Sequence, residues 1–416
     1  METRGRRKRA AAARDRLSNL PDCLLQAILS QLRSRQVVHT SALSRRWRHL
    51  WRAVPCIHID SADFPIQIDE DSDLSSVQDD DGNSDQLDSC VRDRRLFEAE
   101  RDAIANLEDF ADNLLFHRNL SGEALETLRL RIYRRDGRPY GSTDMISRWV
   151  RRGLRLSPAG IDIIVDGIPM EQPSYFSNTG ANLGRLTEIR LDGVLLIGAI
   201  GDLFGTDSLL PVLQDLEVRN SALGYIASDT LTNLTVVYDS PASTQTYEMF
   251  GHIAAPRLAS LRFELPLARL ANLDFTVEEL PCLAQASIRL LHETPQPWSW
   301  DDDDDDDDEP DTTCPAVLDE PCCVFPNLKS LVLDDCNLGN GLQTLWRLLH
   351  NTPALERLAL RNCKWQEDPY ARKSEEEQAV ETATMTTNLK LVQIVHGNNK
   401  MRSKIKRKLP QATVTK

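Results

Sequence analysis

The stretch SALSRRWRHLW, residues 41–51, sets four basic side chains and two tryptophans close together. Arginines beside aromatic rings can hold a nucleic acid, the cations taking phosphates while the rings stack on bases. The same mixture arises on a helix that turns its rings toward a protein partner. The two readings differ in where the tryptophans point. Other chemistry is thin. The eight histidines are scattered, and no Ser/His/Asp set, glycine-rich nucleotide loop or H-E-x-x-H pattern occurs, so no enzyme is expected. Nine cysteines, an odd number with no CxxC pair and no histidines at zinc-finger spacing, predict reduced thiols. The adjacent Cys322 and Cys323 read as loop residues. In the run DDDDDDDDE, 301–309, consecutive aspartates repel and extend instead of converging on a cation. No metal or cofactor is expected.

Of 416 residues, 41% are hydrophobic and 27% charged, which predicts a mostly folded chain. The net charge of −14 is segregated. Residues 1–52 carry 13 Lys/Arg against 3 acids, residues 60–90 hold 11 acids with no Lys/Arg, and residues 301–320 hold 12 acids with none. The remainder is nearly neutral, which argues against general polyanion binding. No apolar run approaches the ~20 residues of a membrane span, and the start METRGRRKR is unlike a secretory leader. The expected location is the nucleus and/or the cytoplasm. The basic stretches 4–16 and 400–408 fit either nuclear-localisation signals or solubilising tails.

From residue 125 onward the pattern L-x-x-L-x-L recurs. It appears as LETLRL (125), LTEIRL (186), LQDLEV (213), LTNLTV (231), LASLRF (258), LAQASI (283), LKSLVL (328), LERLAL (355) and LKLVQI (389). Each motif predicts a short strand whose alternate residues point inward, followed by a return segment. Turn formers such as DG, RNS, YDSP and DDCN end the motifs where a helix would continue at period 3.6. The pattern resembles the leucine-rich repeat, with Cys336 and Cys363 in its Asn/Cys slot as buried turn residues. The acidic block at 301–320 looks like an insertion into this array. Residues 96–118 read as a helix with Phe97, Ile104, Leu107, Phe110, Leu114 and Leu115 on one side, capping the N-terminal end of the array. Residues 145–165 read as a helix and a strand, with Trp149 in the core.

The block 17–56 reads as three short helices. Ser18 or Asn19 caps a helix started by Pro21, with Leu24, Leu25, Ile28, Leu29 and Leu32 on its apolar stripe. A second helix offers Val37, Val38 and Leu43. A third, from Ser44, places Trp47, Leu50 and Trp51 on one face and Arg45, Arg46, Arg48 and Arg52 elsewhere. So small a core predicts a permanent partner. The segment LPDCLLQAILSQL…VVHTSALSRRWRHLW resembles an F-box over about 40 residues in order and spacing. That resemblance implies docking to the SKP-family adaptor of an SCF-type cullin-RING ubiquitin ligase through Leu20, Pro21, Leu24, Ile28, Leu29, Leu32, Val38, Leu43, Trp47 and Trp51. With the repeats behind it, the chain is similar to the plant F-box/leucine-rich-repeat family. Some members of that family carry a C-terminal FBD module, whose start NLKLVQIVHGNNK resembles; a full module is not expected.

The expected fold class is α/β: a small all-α F-box, then a leucine-rich-repeat solenoid with parallel strands on its concave face. The expected division is a basic disordered tail at 1–16, the F-box at 17–56, an acidic flexible linker at 57–95, the repeats at 96–399 with a disordered acidic insertion at about 296–322, and a basic tail at 400–416. The expected function is substrate recognition within an SCF-type ligase, with adaptor and cullin scaffold as partners and neither membrane nor nucleic acid. A non-ligase scaffold and a nucleic-acid binder using the basic tail are the alternatives. Substrate would meet the polar residues between the leucines. These are Thr127, Arg129, Arg131, Glu188, Arg190, Asp192, Asp215, Glu217, Arg219, Ser260, Arg262, Glu264, Arg357 and Arg361.

Overall fold

An apolar residue at every second position buries one side of a strand, and the leucine motifs build a sheet on that rule. The computed structural model describes residues 17–67, 84–133, 143–165, 183–194, 210–221, 225–238, 251–266, 275–277, 280–291, 325–340, 342–366, 388–397 and 399–415. These fall into two compact units, one running up to Leu186 and the other from Thr187 onward.

The first unit opens with a 3-10 turn (Leu17–Asn19), helices α1 (Asp22–Leu29) and α2 (Ser34–His39) and a 3-10 helix (Trp47–Ala53). Strand β1 (Cys56–Asp60), helix α3 (Ser84–Ser121), β2 (Thr127–Ile132), helix α4 (Thr143–Leu154) and β3 (Gly160–Val165) follow. The strands pair in parallel in the order β1-β2-β3. Parallel neighbours need a crossover, and α3 and α4 supply the two crossovers. The two helices are joined at Asp112. Its carboxylate accepts from the Trp149 indole N–H (2.9 Å), from Arg152 (2.7 Å) and from Arg148 (3.3 Å), and Arg148 also pairs with Glu108. Trp149 is fully buried, as the core reading requires.

Several boundaries differ from those read in the sequence. The sheet begins at β1, inside the supposed linker 57–95; CIHID contains no leucine, so the motif did not mark it. Of that linker, 68–83 lie outside the described residues, as do the tail 1–16, the insertion 296–322 and Cys322–Cys323. Helix α3 is longer than 96–118 and is a crossover between β1 and β2, not a cap; Leu107, Leu114 and Leu115 are buried but Phe97 is exposed. Pro21 immediately precedes α1 instead of starting it, and Asn19 belongs to the turn before it. The third F-box helix is 3-10 and begins at Trp47. The segment 400–416 is no tail. It holds most of helix α6 (Asn399–Lys408), with Met401, Ile405 and Leu409 buried at intervals of four, and a final strand (Thr413–Thr415). An importin-type extended epitope is therefore not what 400–408 presents.

The second unit contains strands β4 (Glu188–Asp192), β5 (Asp215–Arg219), β6 (Tyr225–Ala227), β7 (Asn233–Val237), β8 (Gly251–Ala254), β9 (Ser260–Pro266) and β10 (Phe275–Val277). They continue as β11 (Gln285–Leu291), β12 (Ser330–Asp334), β13 (Asn337–Asn340), β14 (Arg357–Arg361), β15 (Lys364–Gln366), β16 (Leu391–Val395) and β17 (Thr413–Thr415), with helix α5 (Gln343–His350) between β13 and β14. The main sheet runs β4-β5-β7-β9-β11-β12-β14-β16-β17, parallel wherever a register is given, and the return segments form the small parallel sheets β6-β8-β10 and β13-β15.

Two local devices set the phase of each strand. Before most motifs the chain reads x-P-x-L, as in LPVL at 210, APRL at 255, LPCL at 280, FPNL at 325 and TPAL at 352. In each, the N–H of the fourth residue returns to the carbonyl of the first: Leu213 to Leu210 (3.4 Å), Leu258 to Ala255 (3.0 Å), Leu283 to Leu280 (3.2 Å), Leu328 to Phe325 (3.4 Å) and Leu355 to Thr352 (3.1 Å). Proline suits the second position of such a turn because its φ is already set and no N–H is needed there. After many strands comes one residue of positive φ: Gly193, Asn220, Asp335, Asn362 and His396. Glycine, asparagine and aspartate tolerate this region best. Two residues beyond the strand, Ser221, Cys336 and Cys363 turn their side chains back on the strand-end carbonyls of Arg219, Asp334 and Arg361. Cys336 is buried as expected, whereas Cys363 is partly exposed.

Replacing Asp112 with alanine strands a buried indole N–H and should lower stability by about 1–3 kcal/mol. Asp112→Asn, which retains an acceptor, should lose less; urea unfolding of the two variants checks the difference.

Candidate functional site

Helix α1 carries paired apolar residues at 24–25 and 28–29, so it has two stripes. One, Leu25 and Leu29, is buried with Val37, Leu50 and Val54, and Leu20, Trp47 and Trp51 pack half-buried against this cluster. The other stays in solvent: Leu24 is 50% exposed, Ile28 46% and Leu32 38%. Leu24 and Ile28 lie four apart on one edge of α1, and Leu32 is exposed in the turn just beyond the helix. Leu17 and Leu43 are also exposed.

The ten residues inferred for adaptor docking therefore divide. Leu29 is core; Leu20, Val38, Trp47 and Trp51 are half-buried; Pro21, Leu24, Ile28, Leu32 and Leu43 are exposed. Leu25, Val37, Leu50 and Val54, absent from that set, complete the core. The doubling of apolar residues along α1 was the available signal, because a helix with one buried face needs only one of each pair.

The arginines lie outside the core. Arg46 bonds to Asp22 in the first turn of α1 (2.9 and 2.6 Å) and to the Leu20 carbonyl, holding the entry of the 3-10 helix against the start of α1. Trp51 meets the His117 ring of α3 edge-on at 6.0 Å, and the Arg52 guanidinium lies 5.4 Å from the Trp51 ring. Neither tryptophan stands free in a basic groove, as a stacking reader of nucleic acid would require.

The helical module is fastened to β1. Arg33 reaches Asp63 (3.0 Å) and Asp60 (3.4 Å), and the Ser34 hydroxyl accepts the His58 N–H (2.8 Å). The hydrogen bond to Asp63 holds the Arg33 guanidinium above its usual pKa. Burial, reinforced by the positive charge of Arg131, pushes the His58 imidazole below its ordinary value against the pull of Asp60, so it stays neutral at physiological pH.

Within each unit the residues between the leucines lie on the polar side of its strands, and they mostly neutralise one another. In the first unit Arg129 and Arg131 approach Asp162 (3.8 and 3.9 Å) beside Thr127. In the second, Arg190 pairs with Glu188 (2.9 Å) and Glu217 (3.3 Å), Arg219 with Glu217 (2.6 Å) and Arg262 with Glu264 (2.8 Å). Asp192 accepts from Asn220 and Asp215 from Asn233, while Ser260 lies next to Asn233 in the register. Arg361, exposed, has no carboxylate partner among the described residues. The hydrogen bond from Lys390, and behind it the positive field to which the exposed Arg357 contributes, hold the Glu356 carboxyl below its usual pKa. No group of three or more His, Cys, Asp or Glu side chains is placed to hold a metal ion among the described residues, nor is any helix there long and apolar enough to cross a membrane.

Residues 17–58 match the F-box domain. The rice protein MEIOTIC F-BOX protein MOF (Oryza sativa subsp. japonica) is 31% identical over 383 residues, covering 84% of this chain and 72% of its own length. The chain belongs to the plant F-box proteins. Arabidopsis thaliana F-box/LRR-repeat protein 13 is 54% identical over 50 residues, 12% of this chain and 11% of that protein. An F-box/FBD/LRR-repeat protein of the same plant is 45% identical over 69 residues, 17% of this chain and 15% of the relative. F-box proteins generally act as non-catalytic substrate receptors of SCF-type ubiquitin ligases. In this F-box protein, helices are followed by a largely parallel sheet, an α/β arrangement.

The two stripes of α1 should separate under mutation. Leu29→Ala removes a fully packed side chain and should cost about 2–5 kcal/mol in urea unfolding. Leu24→Ala, at a half-exposed position, should stay within about 0.5 kcal/mol of wild type.

Proposed function

We propose that this chain is the substrate-recognition subunit of an SCF-type ubiquitin ligase. The F-box holds an SKP-family adaptor, and through it the cullin scaffold. The parallel sheet acts as a leucine-rich-repeat array whose polar face takes a protein substrate. The observation that carries this reading is the row Leu24, Ile28 and Leu32, left in water on a module whose own core is already filled. Solvent-exposed apolar rows of this kind are stabilised by a partner that removes them from water, at roughly 25 cal/mol per Å² buried.

Ubiquitin transfer is then the work of a separate RING-bound conjugating enzyme. This chain contributes proximity, raising the effective concentration of substrate lysines near the thioester. The alternating charges of the polar face suit that role, because a face whose ion pairs cancel attracts polyanions little and leaves selection to local shape and unpaired groups.

Co-expression with an SKP-family adaptor tests the reading. The wild-type chain should co-purify with adaptor and cullin, and Leu24→Asp/Ile28→Asp should weaken that capture by about tenfold or more, since each carboxylate would be desolvated without a partner. A double variant that keeps its fold and still captures adaptor like wild type would overturn the proposal.

A further inference from the structure

Along the middle row of the polar face, small side chains replace large ones over strands β11, β12 and β14, before Gln393 follows on β16. The register runs Arg190, Glu217, Thr235 and Arg262, and then Ser287, Val332 and Ala359. Where the small residues begin, the surface drops into a cleft of about 380 Å³ on strands β9, β11, β12 and β14. The neighbouring row, Glu264, Arg289, Asp334 and Arg361, forms one wall.

Both acids of that wall are already engaged by arginines. Glu264 is engaged by Arg262 (2.8 Å) and Asp334 by Arg289 (3.8 Å). That leaves Arg361, exposed and paired with no carboxylate among the described residues. Its guanidinium presents planar donors suited to two-point binding of a carboxylate or phosphate group. The serine and valine floor supplies hydroxyls and a small apolar surface, with room for a side chain.

The geometry points to this cleft as the subsite for an anionic side chain of an extended protein segment, with Arg361 as its counter-ion. The inference rests on the polar face being the substrate surface. An aspartate, a glutamate or a phosphorylated serine would supply the same charge. The carboxylates would make recognition constitutive, whereas a phosphate would make it conditional on modification.

The test uses the full chain and immobilised short peptides of randomised sequence whose central residue is fixed as Asp, Glu, phosphoserine, Ser or Lys. At least one acidic pool should be retained about tenfold over the Ser and Lys pools, the size of one charge-assisted contact. Retention of the Asp and Glu pools marks constitutive recognition, and retention of phosphoserine alone marks a modified substrate. Arg361→Ala should remove the preference without changing the melting temperature, and Arg361→Lys should restore part of it. A wild-type chain with no acidic preference, or an Arg361→Ala chain that keeps it, would overturn the subsite. Adaptor capture depends on Leu24 and Ile28 in the other unit, so failure of adaptor docking would be seen separately.

Discussion

Helix α1 has apolar residues on two faces, and the module it belongs to can bury only one of them. Leu25 and Leu29 take the interior, together with Val37, Leu50 and Val54. Leu24 and Ile28 are left on the outside by geometry alone, since residues four apart share an edge and adjacent residues diverge by about 100°, and Leu32 stays exposed in the turn beyond them. The short helices and the 3-10 turn bearing Trp47 and Trp51 are too small to wrap around and cover that edge. An open apolar edge on an otherwise satisfied module is a constraint that a protein partner relieves, and it is the feature on which the proposed ligase role depends.

The sheet supplies a different kind of surface by a repeated local rule. A proline-containing turn sets the first leucine of a motif, period-two alternation buries the next two apolar positions, and a left-handed residue turns the chain off the strand. Because each strand contributes its polar residues in the same register, charges meet along and across strands and neutralise. Departures from that neutrality become informative. Arg361 stands out because the arginines of β2, β4, β5, β9 and β11 all have an acid within reach, and because small side chains have cleared the space beside it.

Much of this was legible in the sequence. The L-x-x-L-x-L spacing located β2, β4, β5, β7, β9, β11, β12, β14 and β16, and apolar neighbours placed Trp149 in the core. What escaped did so for specific physical reasons. Strand β1, CIHID, obeys the same alternation with isoleucines, but it sits next to an acidic stretch whose composition dominated the reading. At the C-terminus six cations masked the period-four series Met401, Ile405 and Leu409, which is the buried side of a helix. The x-P-x-L turns were visible but carried no weight, because their meaning lies in a backbone hydrogen bond. Within the F-box, the sequence placed Leu24, Leu25, Ile28, Leu29 and Leu32 on one helical stripe, whereas α1 ends at Leu29 and only the packing separates the residues that face inward from those that face water.

The most direct test of the central claim is hydroxyl-radical footprinting of the chain alone and bound to an SKP-family adaptor. Leu24, Ile28 and Leu32 should be oxidised in the free chain and protected in the complex, while Leu25 and Leu29 should stay unreactive in both. Equal oxidation of Leu24, Ile28 and Leu32 with adaptor bound, or protection confined to the arginine-bearing segment 45–52, would contradict it.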